Sequence, residues 1–411
     1  LLMLRPTDSP VLFLQQLGRG LRRAEGKSAC LVLDFVGQHR REFRFHRRFQ
    51  ALLGGSRRQV EKQVGDGFPF LPAGCHMELE AQAREIVLRN IREAVPGNWP
   101  RKVDELRELA ASGATGLAAF LEHSGLELAD VYQGDRSWSD LRAAAGLPVA
   151  APGPRERTLR RACGRLLHVD DAMRLRGYAA LLARSAPPRF ERLDSHPARL
   201  ARMLVASVAG SAVTAQDSLQ DGLDLIWDHP QVRAELVELF AFLENRIDHQ
   251  HAPLRDAADI PLQVHARYTR IEILAALEVG DAARTPLWQT GARWLPEAGA
   301  DLLAFTLDKT SGQFSPTTRY RDYAISPTLI HWESQAKTRA DSETGSRYRH
   351  HQARGTRVLL FARERADDRA FWFLGPARFQ QAEGEQPMAI TWKLDIPLPG
   401  DLFTSFAAAV A

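Results

Sequence analysis

Cysteine is scarce in this 411-residue chain: Cys30, Cys75 and Cys163 stand far apart and in odd number. None has a neighbour at metal-ligand spacing, which excludes a thiolate zinc site and a disulfide framework alike, and ordinary reduced thiols are expected. Lysine is also rare, six of the 54 basic residues. Such a bias toward Arg accompanies a GC-rich genome, so the abundance of arginine argues little and only its clustering informs. No apolar run approaches the roughly 18 residues of a membrane span and no secretory leader is visible, so a cytoplasmic location without a membrane partner is expected. A phosphate-binding loop is missing too. Gly26-Lys27-Ser28 fails the pattern because Leu21 stands where the loop needs glycine.

What remains is ordinary folded composition, 45% hydrophobic, 8% aromatic and 25% charged, with charges of both signs. Disorder is excluded as the dominant state, and the length suggests two to four domains. The net charge of +4 is unevenly placed. Residues 40–62 hold eight Arg or Lys against two acids, and residues 315–365 hold ten against five. Two basic islands on an otherwise acidic body point to contact with a polyanion.

Residues 1–36 read as strand, helix, strand. Leu1 to Leu4 is apolar and has no lead-in, as in a truncated strand; Val11 to Arg23 has helical periodicity; Ala29 to Val36 is a nearly continuous apolar run. Strands apolar on both faces and joined through a helix indicate a parallel sheet. Residues 39–65 are basic and read as helical, and the turn-rich stretch Gly65 to Gly74 ends them. From Met77 to Val264 the pattern is mostly helical. Short helices between Asp104 and Leu147 suit either a winged-helix-like module at 100–150 or, the preferred reading, a plain helical bundle. Beyond Tyr268 strand-like runs follow, at 302–307, 358–362, 371–374 and 389–394, punctuated by Gly and Pro. The expected fold is therefore mixed α/β. A fragment of a parallel sheet (1–50), RecA-like by the resemblance that the motif below carries, precedes a helical region (51–264) and a β-rich domain, barrel- or sandwich-like (265–411).

The sharpest motif is Gln15-Gln16-Leu17-Gly18-Arg19-Gly20-Leu21-Arg22. At 100° per residue Gln15, Arg19 and Arg22 share one helix face, and Leu14, Leu17 and Leu21 the opposite one. Two guanidiniums and an amide suit a triphosphate, since Arg is always charged and offers paired donors to phosphate oxygens. The pattern Q-x-x-G-R-x-x-R resembles motif VI of superfamily II (DEAD/DEAH-like) helicases. The resemblance implies that Arg22 is an arginine finger, Arg19 a second phosphate contact and Gln15 a nucleotide-coupling residue, acting on ATP and Mg²⁺ held by an upstream first RecA-like domain. Without Walker A and B motifs the chain alone is not expected to hydrolyse ATP or to hold a cofactor. Phe68-Pro69-Phe70-Leu71-Pro72-Ala73-Gly74-Cys75 and the series around Tyr268–Leu274, Phe314–Tyr320, Asp322–Pro327 and His331–Gln335 resemble the same parent group. These are bacterial helicases of restriction or phage-defence type, with an uncharacterised C-terminal domain (domain of unknown function 3427) and in many members a phospholipase-D-type nuclease domain.

Two sets of residues are expected to meet DNA, with RNA not excluded. The first is Arg40, Arg41, Arg44, Arg47 and Arg48, interleaved with phenylalanines. The second interleaves Arg319, Arg321, Arg347 and Arg349 with Tyr320 and Trp332, and adds His331 and Gln335. Aromatic faces stack on bases, flipped or modified ones included, while arginines hold phosphates. Competing readings stay open. Asp322, Glu333 and Gln335 approximate a Mg²⁺-dependent nuclease array, and the C-terminal domain could be a protein-interaction platform. A metal site from His331, His350 and His351 lacks a recognised spacing.

Overall fold

The computed structural model describes the chain except residues 5, 6, 8, 23–26, 28, 36–44, 54–56, 69–70, 72–74, 94–97, 248, 256, 281–282, 308–321 and 409–411, and the side chains of Pro10, Arg47, Arg58 and Glu93. Packing divides it into two compact units: Leu1–Gln133 with Asp140–Pro148, and Gly134–Ser139 with Val149–Ala411.

The first unit opens with β1 (Leu2–Met3), α1 (Pro10–Gly20) and β2 (Leu33–Asp34). β1 and β2 pair in parallel, Leu2 opposite Leu33 and Met3 opposite Asp34, so the expected β-α-β connection is present. Helices α2 (Phe45–Leu53), α3 (Arg57–Asp66) and α4 (Ala81–Glu93) follow. They bury Phe45, Val60, Val64, Phe68, Val87 and Ile91 against one another. α5 (Trp99–Ala111), α6 (Leu117–Ser124), α7 (Leu128–Val131) and α8 (Trp138–Ala144) are short. No strand lies between residues 101 and 150. A wing needs a β-hairpin, so this segment is helices alone.

The second unit begins with five helices, α9 (Glu156–Cys163), α10 (Ala172–Leu182), α11 (Ser195–Val208), α12 (Leu219–Trp227) and α13 (Pro230–Glu244). A Cβ on Gly177 would lie 2.5 Å from Leu200 Cδ1, so glycine lets α10 and α11 approach closely. A short pair, β3 (Ala252–Pro253) and β4 (Gln263–Val264), leads to β5 (Arg267–Thr269) and α14 (Arg270–Ala276). α14 packs on α11. Thr269 caps α14 reciprocally with Glu272, each satisfying a backbone N–H that the first helical turn leaves without a partner.

The remaining strands are β6 (Ala292–Leu295), β7 (Ala300–Thr306), β8 (Tyr323–Ser326), β9 (Leu329–Glu333), β10 (Arg357–Arg363), β11 (Ala370–Glu383) and β12 (Ala389–Leu394), with α15 (Glu343–His350) before β10 and α16 (Gly400–Ala408) at the end. With β5 they make one eight-stranded sheet of order β6-β7-β10-β11-β12-β9-β8, β5 joining β11. Among the described residues the β-rich C-terminal region expected is this one sheet, with β6 and β8 at its ends. Among the described residues the one parallel pair within this sheet is β7 with β10. Both are apolar along nearly their whole length and buried throughout their middles, as strands covered on both faces must be.

Candidate functional site

The helix of the N-terminal motif starts where Ser9 Oγ accepts the Leu12 N–H and stops at Gly20, with Leu21 as its C-cap. Lys27 Nζ donates to the Gly20 carbonyl and, at 2.9 Å, to that of Arg22. A cation at this end satisfies carbonyls that the helix leaves open. Arg22 therefore lies just past the helix rather than on the shared face that a continuous helical projection gave it. Gln15, Arg19 and Arg22 are all exposed. The opposite face also differs from expectation: Leu14 is 42% and Leu21 58% exposed. Two strands of two residues each cannot cover it, and α1 is anchored instead through Phe13, which is buried. A Cβ on Gly20 would meet the Leu1 side chain at 3.0 Å, so this glycine lets the end of α1 close on β1.

The basic cluster separates. Arg40, Arg41 and Arg44 lie outside the described residues, as does the Arg47 side chain. Arg48 is not a DNA contact in this structure. Its guanidinium is buried, pairs with the Asp34 carboxylate and lies 4.3 Å from the Phe13 ring centroid. It pins β2 and α1 to α2, and donors committed this way are closed to a phosphate.

In the C-terminal sheet, Arg319, Tyr320 and Arg321 lie outside the described residues. Trp332 offers no stacking face. Alternation along β9 sends Ile330 and Trp332 into the core, where Trp332 meets Tyr348 edge-on at 5.6 Å and Trp392 at 6.5 Å. The alternate residue His331 is half-buried on the other face, its ring stacked on Tyr323 at 4.6 Å and 11°. Arg347 likewise faces the protein and not a DNA backbone. It clamps Asp301 with Nε at 2.7 Å and Nη2 at 3.0 Å and lies 4.3 Å from the Trp294 ring centroid. Arg349, two positions on along α15, is exposed, and so is Gln335.

The nuclease array does not assemble as an open metal site. Asp322 is buried and its Oδ1 accepts the Glu333 N–H at 2.9 Å, which ties the mouth of the β8–β9 hairpin. Among the described residues no group of three His, Cys, Asp or Glu is placed to hold a metal. The histidines are dispersed in the same way. His351 Nε2 accepts the Phe379 N–H while Nδ1 faces the Thr356 carbonyl, which assigns the neutral Nδ1–H tautomer. Burial lowers its pKa.

Residues 262–406 match the family model for a domain of unknown function, DUF3427. No curated protein matches the chain. The DUF3427 region spans about a third of the sequence, and the motif at its start, Tyr268-Thr269-Arg270-Ile271-Glu272, has a structural role that its sequence concealed. Arg174 on α10, wholly buried, donates from Nη1 to Glu272 Oε1 at 2.8 Å and from Nη2 to the Arg267 carbonyl at 2.7 Å. Its guanidinium carbon lies 4.1 Å from the Tyr268 ring centroid, and Asp171 Oδ2 is 2.9 Å from its Nε. His168 Nε2 holds the other Glu272 oxygen at 2.7 Å. Burial alone would raise the Glu272 pKa, but His168 and Arg174 outweigh it and leave it at about 2. Burial raises Asp170 to about 6, more than neighbouring Arg174 lowers it.

Two cavities in the second unit were not legible in the sequence. One, of about 620 Å³, lies against Arg255, His351, Arg357, Arg378 and Asp395. The other, of about 430 Å³, is lined by Arg165, Arg270, Arg284, Arg363 and Arg369. Those arginines are scattered over two hundred positions, so no local window of charge could have gathered them.

Proposed function

We propose that this chain is the C-terminal part of an ATP-dependent superfamily II helicase or translocase of a restriction or phage-defence system, and that its DUF3427 region is an accessory nucleic-acid-binding domain. The observation that carries this reading is the β1-α1-β2 connection. Its strands are parallel, Arg19 and Arg22 are exposed without a carboxylate partner among the described residues, and Leu1, Leu2, Leu4, Val11, Leu31 and Leu33 are exposed around them. Two parallel strands do not make a stable sheet. Such an apolar margin suits a piece of a larger RecA-like sheet, and the free guanidiniums suit the phosphates of a nucleotide held across from them.

In this reading ATP and Mg²⁺ belong to a first RecA-like domain that carries the Walker motifs. Arg22 and Arg19 offset charge that builds on the phosphates as the terminal one transfers, and movement on DNA follows from closure of the two domains. DNA is the expected polymer. Arg349, Gln335 and His331, whose ring stacks on Tyr323, are the exposed or half-exposed members of the C-terminal set among the described residues and would meet it.

The test is nucleotide hydrolysis with the first RecA-like domain present in the same polypeptide or added to it. Arg22→Ala should lower kcat by a factor on the order of 10³ and leave nucleic-acid affinity within about two-fold. Hydrolysis indifferent to both Arg22→Ala and Arg19→Ala overturns the reading.

A further inference from the structure

The 430 Å³ cavity sits between the helices and the sheet of the second unit, and five arginines reach it from five places: Arg165 after α9, Arg270 at the start of α14, Arg284, Arg363 at the end of β10 and Arg369 before β11. Among the described residues no Asp or Glu lines it. The acids whose charge reaches these arginines, Asp135 at Arg165 and Asp367 and Asp368 at Arg363, have partners of their own. Asp367 pairs with Arg365 at 3.1 Å, Asp368 Oδ2 accepts the Arg365 N–H, Asp135 pairs with Arg161 at 3.0 Å, and Glu272 is held by Arg174 and His168.

The guanidiniums are instead placed by neutral groups. Those of Arg270 and Arg363 lie 5.2 and 4.8 Å from the Phe371 ring centroid. Arg270 Nη1 donates to the carbonyls of Trp288 and Gln289, Arg363 Nε to Thr306 Oγ1 at 2.9 Å, and Arg165 Nη1 to Ser211 Oγ at 3.3 Å. Arg270 Nε and Ser207 Oγ, both shut from solvent, have no hydrogen-bond partner among the described residues.

Like charges gathered in a partly dry space, with no carboxylate among the described lining residues, raise the free energy of the empty protein. The strain falls on named groups. Burial, then neighbouring Arg369, lowers the pKa of Arg165, and burial, then neighbouring Arg363, lowers that of Arg270. A fold keeps such an arrangement when an anion completes it. Several guanidiniums converging from different directions match a tetrahedral, multiply charged group, and planar forks bind its oxygens in pairs. A single carboxylate would leave most of them unanswered. The volume falls within the range of small-ligand sites.

We infer that this cavity is a phosphate-binding site, distinct from the α1 motif, that takes a phosphate group of a polynucleotide or of a small phosphorylated ligand. Arg165, Arg284 and Arg369 are exposed, so their replacement spares the core. The test uses the 411-residue chain, a fluorescently labelled 20-nucleotide single-stranded DNA read by anisotropy, and inorganic pyrophosphate read by calorimetry. The expected result is at least ten-fold weaker binding of one or both probes by Arg284→Glu/Arg369→Glu, with Arg165→Gln changing in the same direction and Arg365→Glu, outside the cavity, close to wild type. Loss of DNA binding alone assigns the phosphate to a polynucleotide, and loss of pyrophosphate binding assigns it to a small ligand. The inference is overturned if neither probe binds the wild-type chain, or if both bind the cavity variants as tightly as wild type. Neither outcome depends on nucleotide hydrolysis, so the helicase reading stands or falls separately.

Discussion

Arg174 Nη1 and Glu272 Oε1 lie 2.8 Å apart across ninety-eight residues of sequence, both wholly shielded from water. One belongs to the helical stretch and the other to the DUF3427 region, so the family match begins inside a packed unit and not at its edge. Removing one member of a buried ion pair strands the other's charge and costs about 3–5 kcal/mol. Arg174→Met or Glu272→Gln should lower stability by that order in chemical denaturation. A polypeptide of residues 262–411 should show no cooperative unfolding, whereas residues 134–411 should. Cooperative melting of the shorter piece at the temperature of the longer would refute the coupling.

The same network gives a pH signature. Asp170 has a folded pKa of about 6, raised above the ordinary 3.8. Its contribution is present in full below the ordinary value and is lost as pH rises through 6. His265 is displaced the opposite way. Burial, then the charges of His251 and His249, lowers it to about 4, so its contribution is present above 6.5 and is lost as pH falls through 4. Between pH 4 and 6 the two oppose each other. Asp170→Asn should therefore raise stability at pH 7 relative to pH 4 by on the order of 1–2 kcal/mol compared with wild type. Equal pH dependence of variant and wild type in urea titrations would sink the assignment.

Two arginines on α15 separate packing from binding. Arg347 is clamped by Asp301 and covered by Trp294, so Arg347→Ala should destabilise by about 2–4 kcal/mol, much of it from the charge left on Asp301. Arg349, on the exposed side, should tolerate Glu with little change in stability. If the DUF3427 region meets DNA there, Arg349→Glu weakens binding several-fold and reduces the salt slope by about one phosphate contact. A salt slope that stays constant would place the contact elsewhere.

These contrasts show what the sequence could disclose. Apolar runs at 302–307, 358–362 and 371–374 became strands because burial on both faces leaves a continuous hydrophobic signature, while 389–394 alternates buried Ile390, Trp392 and Leu394 with more exposed neighbours. The β-α-β connection was legible from similar apolar runs, although Leu2 and Leu33 of its strands are exposed. Which side of an element faces the core was harder to read at the edges. Trp332 and Arg347 sit in a segment whose basic and aromatic mixture suits a nucleic-acid surface, yet alternation on β9 and pairing with Asp301 draw both inward. The motif helix ended before Arg22, since a regular projection takes no account of where a chain stops being helical. The arginine cavity was invisible because its members are brought together only by the packing of helices on the sheet.

That cavity yields the last prediction, one of stability and not of affinity. Where like charges face one another without a counter-ion, removing one relieves the rest, and the native state gains. Arg369 is exposed and adds to the field on Arg165, so Arg369→Gln should raise the thermal midpoint in chloride buffer by about 1–3 °C. In phosphate buffer of equal ionic strength the order should reverse. A bound anion stabilises the wild type by mass action, and the variant, with one guanidinium fewer, draws less from it. Differential scanning fluorimetry in the two buffers measures both signs at once. A variant that melts below wild type in chloride, or above it in phosphate, would show that Arg369 acts in the fold alone.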